Sequence, residues 1–439
     1  MRLLYGVLTR LAAPLAFAAL LARGVRDRAY WAHLGERFGF GRELHASGIW
    51  LHAVSLGEVS AAAALLRGLR ARHPHIPLVL STATPTGRAQ ALALFGSQIE
   101  MRFLPYDTPG SMRRFLERIR PRLAIIMETE LWPNLLHECR RRGVPVLFAS
   151  ARLTARSVSR YRRLPTLFAP ALAHNASIAA QTPEDAERFI AIGAQRARTR
   201  VTGNVKFDMQ LGPAVAERGR ELRRLYLGAR PVWTAGSTHE GEEQTLLRAH
   251  AALVRTAADA LLVLVPRHAE RFEVVASLLA RQGVIFDRRS SAAAVRPQAS
   301  VLLADTMGEL TALYAASDAA FVGGSLVPVG GHNLLEPAAL GVPVITGPYT
   351  ANSGDIARRL IERGGALEAA DAPALARAVQ RLMADAGLRE RMGAAGREFI
   401  QAHRGSVERL LELIGPLLAG DEPAPRGDPA QAQGQGTGQ

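Results

Sequence analysis

The sequence is almost without lysine. Of its 54 basic residues 53 are arginine, and the exception is Lys206. Arginine offers a broad planar fork, whereas lysine offers a compact point charge with an adjustable pKa. A chain that writes positive charge as arginine everywhere else keeps a lysine at one place, so Lys206 is a candidate site residue on composition alone. Cysteine is nearly missing too. A single residue, Cys139, excludes an internal disulfide and a cysteine-built metal cluster, which fits a reducing setting and a plain helical role for that residue. Several chemical signatures are absent: G-x-x-x-x-G-K-[ST], G-x-G-x-x-G after the first strand, and G-x-S-x-G. Their absence argues against P-loop, nicotinamide and nucleophile-elbow enzymes. No Asp-x-Asp pair sits at a strand end, and His239-Glu240 lacks the second histidine of a zinc helix, so no metal is expected.

What is present bounds the class. The 439 residues are 48% apolar, enough for two domains with ordinary cores. The net charge of +15 suits an acidic partner, whether nucleic acid, anionic membrane or phosphorylated substrate; drift toward Arg and Ala explains it equally. From Leu3 to Ala22 the only strongly polar residue is Arg10, and Arg23, Arg26 and Arg28 follow. The uninterrupted run Leu11–Ala22 is shorter than the ~20 residues that span a bilayer. Apolar helix then basic cluster reads as a cytoplasmic-side membrane anchor, spanning shallowly or lying in plane. A removable signal peptide is not expected. Tyr30, Trp31, Phe38 and Phe40 among Arg37 and Arg42 suit either a headgroup interface or an ordinary packed segment.

After residue 47, short apolar runs alternate with amphipathic stretches. Ile49–Val54, Pro77–Ser81, Leu123–Met127, Val144–Phe148 and Ser177–Ala180 read as strands, with helices such as Ala61–Arg72 and Ser111–Arg120 between them. The pattern pauses over Phe207–Arg230 and restarts with Val232–Ala235, Leu261–Val265, Val301–Leu303, Ala319–Val322 and Val342–Ile345. Strands apolar on both faces, alternating with helices, predict two doubly wound parallel domains. The tail Gly420–Gln439, rich in Pro, Gly, Gln and Ala, reads as disordered. Ligands in such folds sit at the carboxyl ends of strands, so the loops there are where chemistry is sought.

Ser55-Leu56-Gly57-Glu58 follows the first strand and reads either as a capping box or as a base in a cleft. Glu128-Thr129-Glu130 ends the Leu123–Met127 strand. Two carboxylates there are either a site or a helix start made acidic for its dipole. Arg152, Arg156, Arg160 and Arg163 recur at helical spacing, as a phosphate grip or a solvated face. Lys206 lies at the inferred domain junction. In the second half, Ser237 and Glu240 could form another capping box, and Arg267 ends a strand where a base or phosphate could rest. Asp305-Thr306-Met307-Gly308-Glu309 again joins a strand to a helix. Gly323 to Pro337 packs four glycines before a helix. Its backbone N–H groups are expected to make an anion site, with Glu336 placed to accept ribose hydroxyls.

Taken in order, Leu51 to Glu58, Thr82 to Gly87, Met127 to Asn134, Thr202 to Asp208, Ser237 to Glu243, Val265 to Phe272, Asp305 to Leu310 and Gly323 to Pro337 resemble the 3-deoxy-D-manno-octulosonic acid (Kdo) transferases. The resemblance runs to about residue 415 and departs nowhere at these positions. It implies an α/β GT-B fold: two Rossmann-like doubly wound domains facing a cleft, plus an N-terminal membrane-anchor helix. The implied division is an anchor at 1–28, an acceptor-binding domain at 29–207, a linker at 208–230, a CMP-Kdo-binding domain at 231–419 and a disordered tail at 420–439. The implied reaction is inverting transfer of Kdo from CMP-Kdo to a lipid A precursor (lipid IVA), without metal or cofactor, at the cytoplasmic side of the inner membrane and without nucleic acid. Glu58 matches the family's general base, and Glu128 and Lys206 match transition-state stabilisers. CMP contacts fall on Pro266 and Arg267, on Met307, Gly308 and Glu309, and on Asn333, Leu334, Leu335 and Glu336. The rival readings are a GT-B transferase using a UDP-sugar, a nucleotide-sugar epimerase on the same fold, and a non-catalytic membrane-surface protein.

Overall fold

The computed structural model describes residues 1–44, 48–209, 211–291 and 293–420. The expected disordered tail lies, apart from Gly420, outside the described residues.

The chain divides into two compact units, Met1–Met209 with Arg404–Gln439, and Gln210–His403. The first unit holds β1 (Ile49–His52), β2 (Leu78–Thr82), β3 (Glu100–Phe103), β4 (Leu123–Met127), β5 (Val146–Ala151), β6 (Ala176–Ala180) and β7 (Thr199–Val201). They form one sheet in the order β3-β2-β1-β4-β5-β6-β7, with every pairing parallel. The inner strands carry apolar side chains on both faces because helices cover both. Alternation along β1 sends Trp50 to one core layer, with Ile126 and Phe148, and Ile49 and Leu51 to the other, with Leu65 and Leu147. Each such fully buried side chain contributes roughly 1.5–3 kcal/mol.

The second unit repeats the architecture. It holds β8 (Val232–Thr238), β9 (Leu261–Pro266), β10 (Phe286–Arg288), β11 (Val301–Leu303), β12 (Ala319–Val322), β13 (Val344–Thr346) and β14 (Ala366–Glu368), in the order β10-β11-β9-β8-β12-β13-β14. In each sheet the chain leaves its first strand in one direction and later returns to pair on the other side. The switch points therefore fall between β1 and β4 and between β8 and β12. Ligands of open α/β sheets bind at such points.

The expected second domain ran to residue 419, but the last helix, Ser406–Ala419, belongs to the first unit. Leu410, Leu411 and Ile414 pack into the same core layer as Leu65 and Leu69. Asp208 caps this helix from afar, accepting from the backbone N–H of Gly405 and of Val407 at 2.6 Å each. The amphipathic pattern of the helix demands a partner, but only the fold says which one.

The N-terminal helix, Arg2–Arg26, is long and apolar enough to cross a membrane. Although little of it is buried, it touches the first unit at several points along a single stripe. Tyr5, Gly6, Thr9, Ala13, Phe17, Leu20 and Gly24 recur every three or four residues and are the covered positions. Tyr5 Oη donates to Asp107 at 2.9 Å, Phe17 meets the ring of Phe38 edge-on at 5.1 Å, and Trp31 Nε1 donates to the carbonyl of Leu21 at 3.0 Å. Leu3, Leu4, Leu8, Leu11 and Leu15 on the other faces are exposed. The aromatic segment that follows divides: Phe38 and Arg37 pack inward, while Trp31 and Phe40 stay exposed.

Candidate active site

In the first unit the loops after β1, β4 and β7 bring carboxylates and an ammonium group together. Glu58 stands in the first turn of the helix Leu56–Arg72. The expected capping box is only half made. Ser55 makes no side-chain cap, and the Glu58 carboxylate reaches back one residue further to accept from the Val54 N–H at 2.8 Å. Burial pushes the Glu58 carboxyl up to about 7. The Val54 N–H opposes this, the charges of Glu128 and Glu130 add to it, and Lys206 opposes it. Gly87 lets the neighbouring helix approach: a Cβ there would lie 2.4 Å from Thr82 Oγ1. Thr82 in turn donates to the Val54 carbonyl at 2.8 Å, steadying the turn that holds Glu58.

Glu128, just after β4, adopts the left-handed region at φ 54°, which costs a non-glycine residue about 1–2 kcal/mol. Its Oε1 accepts from Lys206 Nζ at 2.8 Å. Glu130 accepts from Trp132 Nε1 at 2.6 Å, and burial raises its pKa, with Glu128 adding to the rise. Lys206 sits in the turn Val205–Asp208, whose start is capped by Asn204. Here the structure adds residues that sequence reasoning missed. Gln181, after β6, accepts from Asn204 Nδ2 at 3.1 Å and donates to the Ser150 carbonyl at 2.9 Å. Ser150 is also left-handed, at φ 52°, in a register shift of β5. The spacing of these residues across three strand ends gives no local signal. The helix Ala155–Arg162 carries exposed Arg156 and Arg160, and its Tyr161 feels the charge of Glu130.

In the second unit the glycine-rich loop after β12 differs from expectation. The N–H groups of its first half are already engaged within the protein. The buried carboxylate of Glu242 accepts from Gly324, Ser325 and Leu326 N–H at 2.7, 3.0 and 2.9 Å, and from His239 N–H at 2.9 Å. Gly330 and Gly331 donate to the Gly324 carbonyl. The expected cap by Ser237 and Glu240 is also replaced. Ser237 is left-handed at φ 56°, the helix Glu242–Val254 starts after Gly241, and Glu240 points out to Arg271.

The other expected donor-site residues lie at strand ends of this unit. Pro266 closes β9 and Arg267 follows it. Met307 is exposed, Gly308 turns at φ 84°, and Glu309 is engaged by Thr306 at 2.6 Å and Arg289 at 3.0 Å. Asn333 donates to Glu336 at 3.1 Å and accepts from the Leu335 N–H at 3.2 Å, while Leu334 is buried. Burial raises the Glu336 pKa, with Asn333 and Arg267 opposing.

Comparison with known proteins decides the family. A family model described as "3-Deoxy-D-manno-octulosonic-acid transferase (kdotransferase)" matches residues 32–209, and one for "Glycosyl transferases group 1" matches 286–399. The 3-deoxy-D-manno-octulosonic acid transferase of Haemophilus influenzae is 41% identical over 421 residues, 95% of this chain and 99% of that protein. The chain belongs to the Kdo transferase family. The Bordetella pertussis transferase is also 41% identical, over 84% of this chain and 87% of its own. The family's work in lipopolysaccharide biosynthesis is therefore this enzyme's work. A putative UDP-N-acetylglucosamine 2-epimerase from Listeria monocytogenes shares the GT-B fold, with a TM-score of 0.56 at 16% identity over 86% of this chain and 98% of that one.

Proposed function

We propose that this transferase moves Kdo from CMP-Kdo to a lipid A precursor (lipid IVA) by one inverting, metal-independent displacement, with Glu58 as general base. The carrying observation is the Glu58 carboxyl, raised to about 7 beside the Lys206–Glu128 pair. Such a group is half ionised near neutrality, where a general base works best. A glucosamine hydroxyl of the acceptor attacks the anomeric carbon of Kdo and gives its proton to Glu58. The bond from that carbon to the phosphate oxygen breaks with its electron pair, and CMP leaves as a dianion. Attack opposite the leaving group inverts the centre. Lys206, steered by Glu128, adds positive charge as negative charge develops.

In this reading the first unit takes the lipid and the second takes the nucleotide. Exposed Arg156 and Arg160 suit the acceptor's phosphates. The helix Arg2–Arg26 lies in the membrane interface rather than across it, at the cytoplasmic face of the inner membrane. A spanning position would draw the surface around Asp107 into hydrocarbon, because Tyr5 and Thr9 of the helix bond to Asp107 and Asn134 there. Incubation with tetra-acylated lipid A precursor and CMP-Kdo generated in situ, followed by mass spectrometry, tests the assignment. Increments of one or more Kdo units are expected. An unchanged lipid mass in the presence of intact donor would contradict it.

A further inference from the structure

Two histidines outside the donor-site residues named so far meet in the second unit. His239 follows β8 and His332 lies in the loop after β12, so they flank the switch point. Their Nε2 atoms are 2.7 Å apart, their ring planes differ by 9°, and the ring centroids are 5.0 Å apart. Near-parallel planes with touching nitrogens and distant centroids mean that the rings meet end to end. They share one N–H···N bond and do not stack face to face. One Nε2 carries the hydrogen and the other accepts it, so both cannot carry it while the bond stands.

Most of the charges that act on the pair are positive, although Arg271 is itself paired with Glu243 at 3.1 Å and Glu240 at 3.5 Å. Arg267 and His268, from the loop after β9, act on both rings, and Arg271 acts on His239. His268 also stands edge-on to His239, with ring centroids 5.6 Å apart. Among the described residues, the acidic group that acts on His239 is Glu242 on the next helix, and its two oxygens already accept four backbone N–H groups. Burial first, and then His239, Arg267 and His268, push His332 down to about 4; burial likewise lowers His239. The pair is thus held neutral beside Arg267 and His268, and Glu242, the carboxylate that acts on it, is already filled by backbone N–H groups. A bound anion would reverse that balance and let one ring take a proton from solvent.

We propose that His239 and His332, together with Arg267, recognise the phosphate of the nucleotide donor, binding it with uptake of one proton. The inference rests on the donor reading above and deepens it. The phosphodiester carries one fixed negative charge, and the imidazolium formed on binding meets it. The same proton then stands beside the oxygen that becomes a dianion when CMP departs.

Calorimetry on the full chain in detergent tests this with cytidine 5′-methyl phosphate, a diester of constant charge, against cytidine, each at pH 6 and pH 8. The wild type should bind the diester about tenfold more tightly at pH 6 than at pH 8, and cytidine equally at both. His332→Gln and His239→Gln should each weaken diester binding at pH 6 about tenfold, remove its pH dependence and leave cytidine unchanged. His239 is the less buried of the two, so its variant stands as the test if the His332 variant fails to fold. Variants that keep the wild-type pH dependence, or that weaken both ligands alike, overturn the proposal. If the wild type prefers uridine compounds, the CMP reading falls, and uridine 5′-methyl phosphate against uridine judges the histidine pair on the same grid.

Discussion

Each unit places a glutamate in the first turn of the helix that follows its first strand: Glu58 after β1 and Glu242 after β8. Residue type and topological position are the same, but the two carboxylates carry different numbers of hydrogen bonds. Glu58 accepts a backbone N–H from Val54 and keeps lone pairs to spare in a buried setting that raises its pKa. Glu242 accepts four and spends both oxygens on folding the glycine-rich loop. A carboxylate has about four acceptor sites, so the number of donors aimed at it decides whether it can serve as a base or only as a strut. The surroundings diverge in the same sense. Carboxylates and one ammonium group gather at the first switch point, suited to taking a proton. Imidazoles and a guanidinium gather at the second, suited to holding an anion.

Substitution at the two positions should break this comparison most visibly. Glu58→Gln should lower the transfer rate about 10³-fold while CMP affinity, read by calorimetry, stays within twofold of wild type. Glu242→Gln should act through folding instead. An amide cannot accept at its nitrogen, so loop N–H groups lose a partner and the second unit loses about 2–4 kcal/mol, seen as a lower denaturation midpoint together with loss of CMP binding. A subtler difference concerns stability against pH. The Glu58 carboxyl sits at about 7 in the fold, above its ordinary 4.5. Between those values the native state binds the proton more firmly than the unfolded chain, so this group's contribution falls as pH rises from 4.5 to 7 and is lost above. Glu58→Gln should therefore raise the melting temperature at pH 8 by about 3 °C and leave it unchanged at pH 4.5. The smallest effect is expected on the helix Ala155–Arg162: Arg156→Gln with Arg160→Gln should raise the acceptor KM about fivefold at low salt, less at high salt, with the donor KM unmoved.

The same contrast explains what was legible in the sequence. The ten central strands stood out because they are apolar on both faces. The four strands that escaped, β3, β7, β10 and β14, are the four sheet edges. They read Glu-Met-Arg-Phe, Thr-Arg-Val, Phe-Asp-Arg and Ala-Leu-Glu, because an edge tolerates and uses charge. Glu58, Glu128 and Lys206 were legible as candidates because each is chemically out of place at a strand end or in the composition. Their supports were not: Ser150, Gln181 and Asn204 come from three separate strand ends and meet only in space. The left-handed conformations of Glu128, Ser150 and Ser237 were equally hidden, since none is glycine. Part of the glycine-rich loop was hidden for a related reason. The N–H groups of Gly324, Ser325 and Leu326 look available in sequence, but the acceptor that fills them, Glu242, lies some 80 residues earlier.

The most direct test of Glu58 as the tuned base is the pH dependence of kcat/KM in the wild type, Glu128→Gln and Lys206→Met. The account predicts an acidic limb near pH 7 in the wild type. Removing the Glu128 charge should move that limb to lower pH, and removing Lys206 should move it to higher pH. A limb at the ordinary carboxylate value, or one that neither substitution moves, would contradict it.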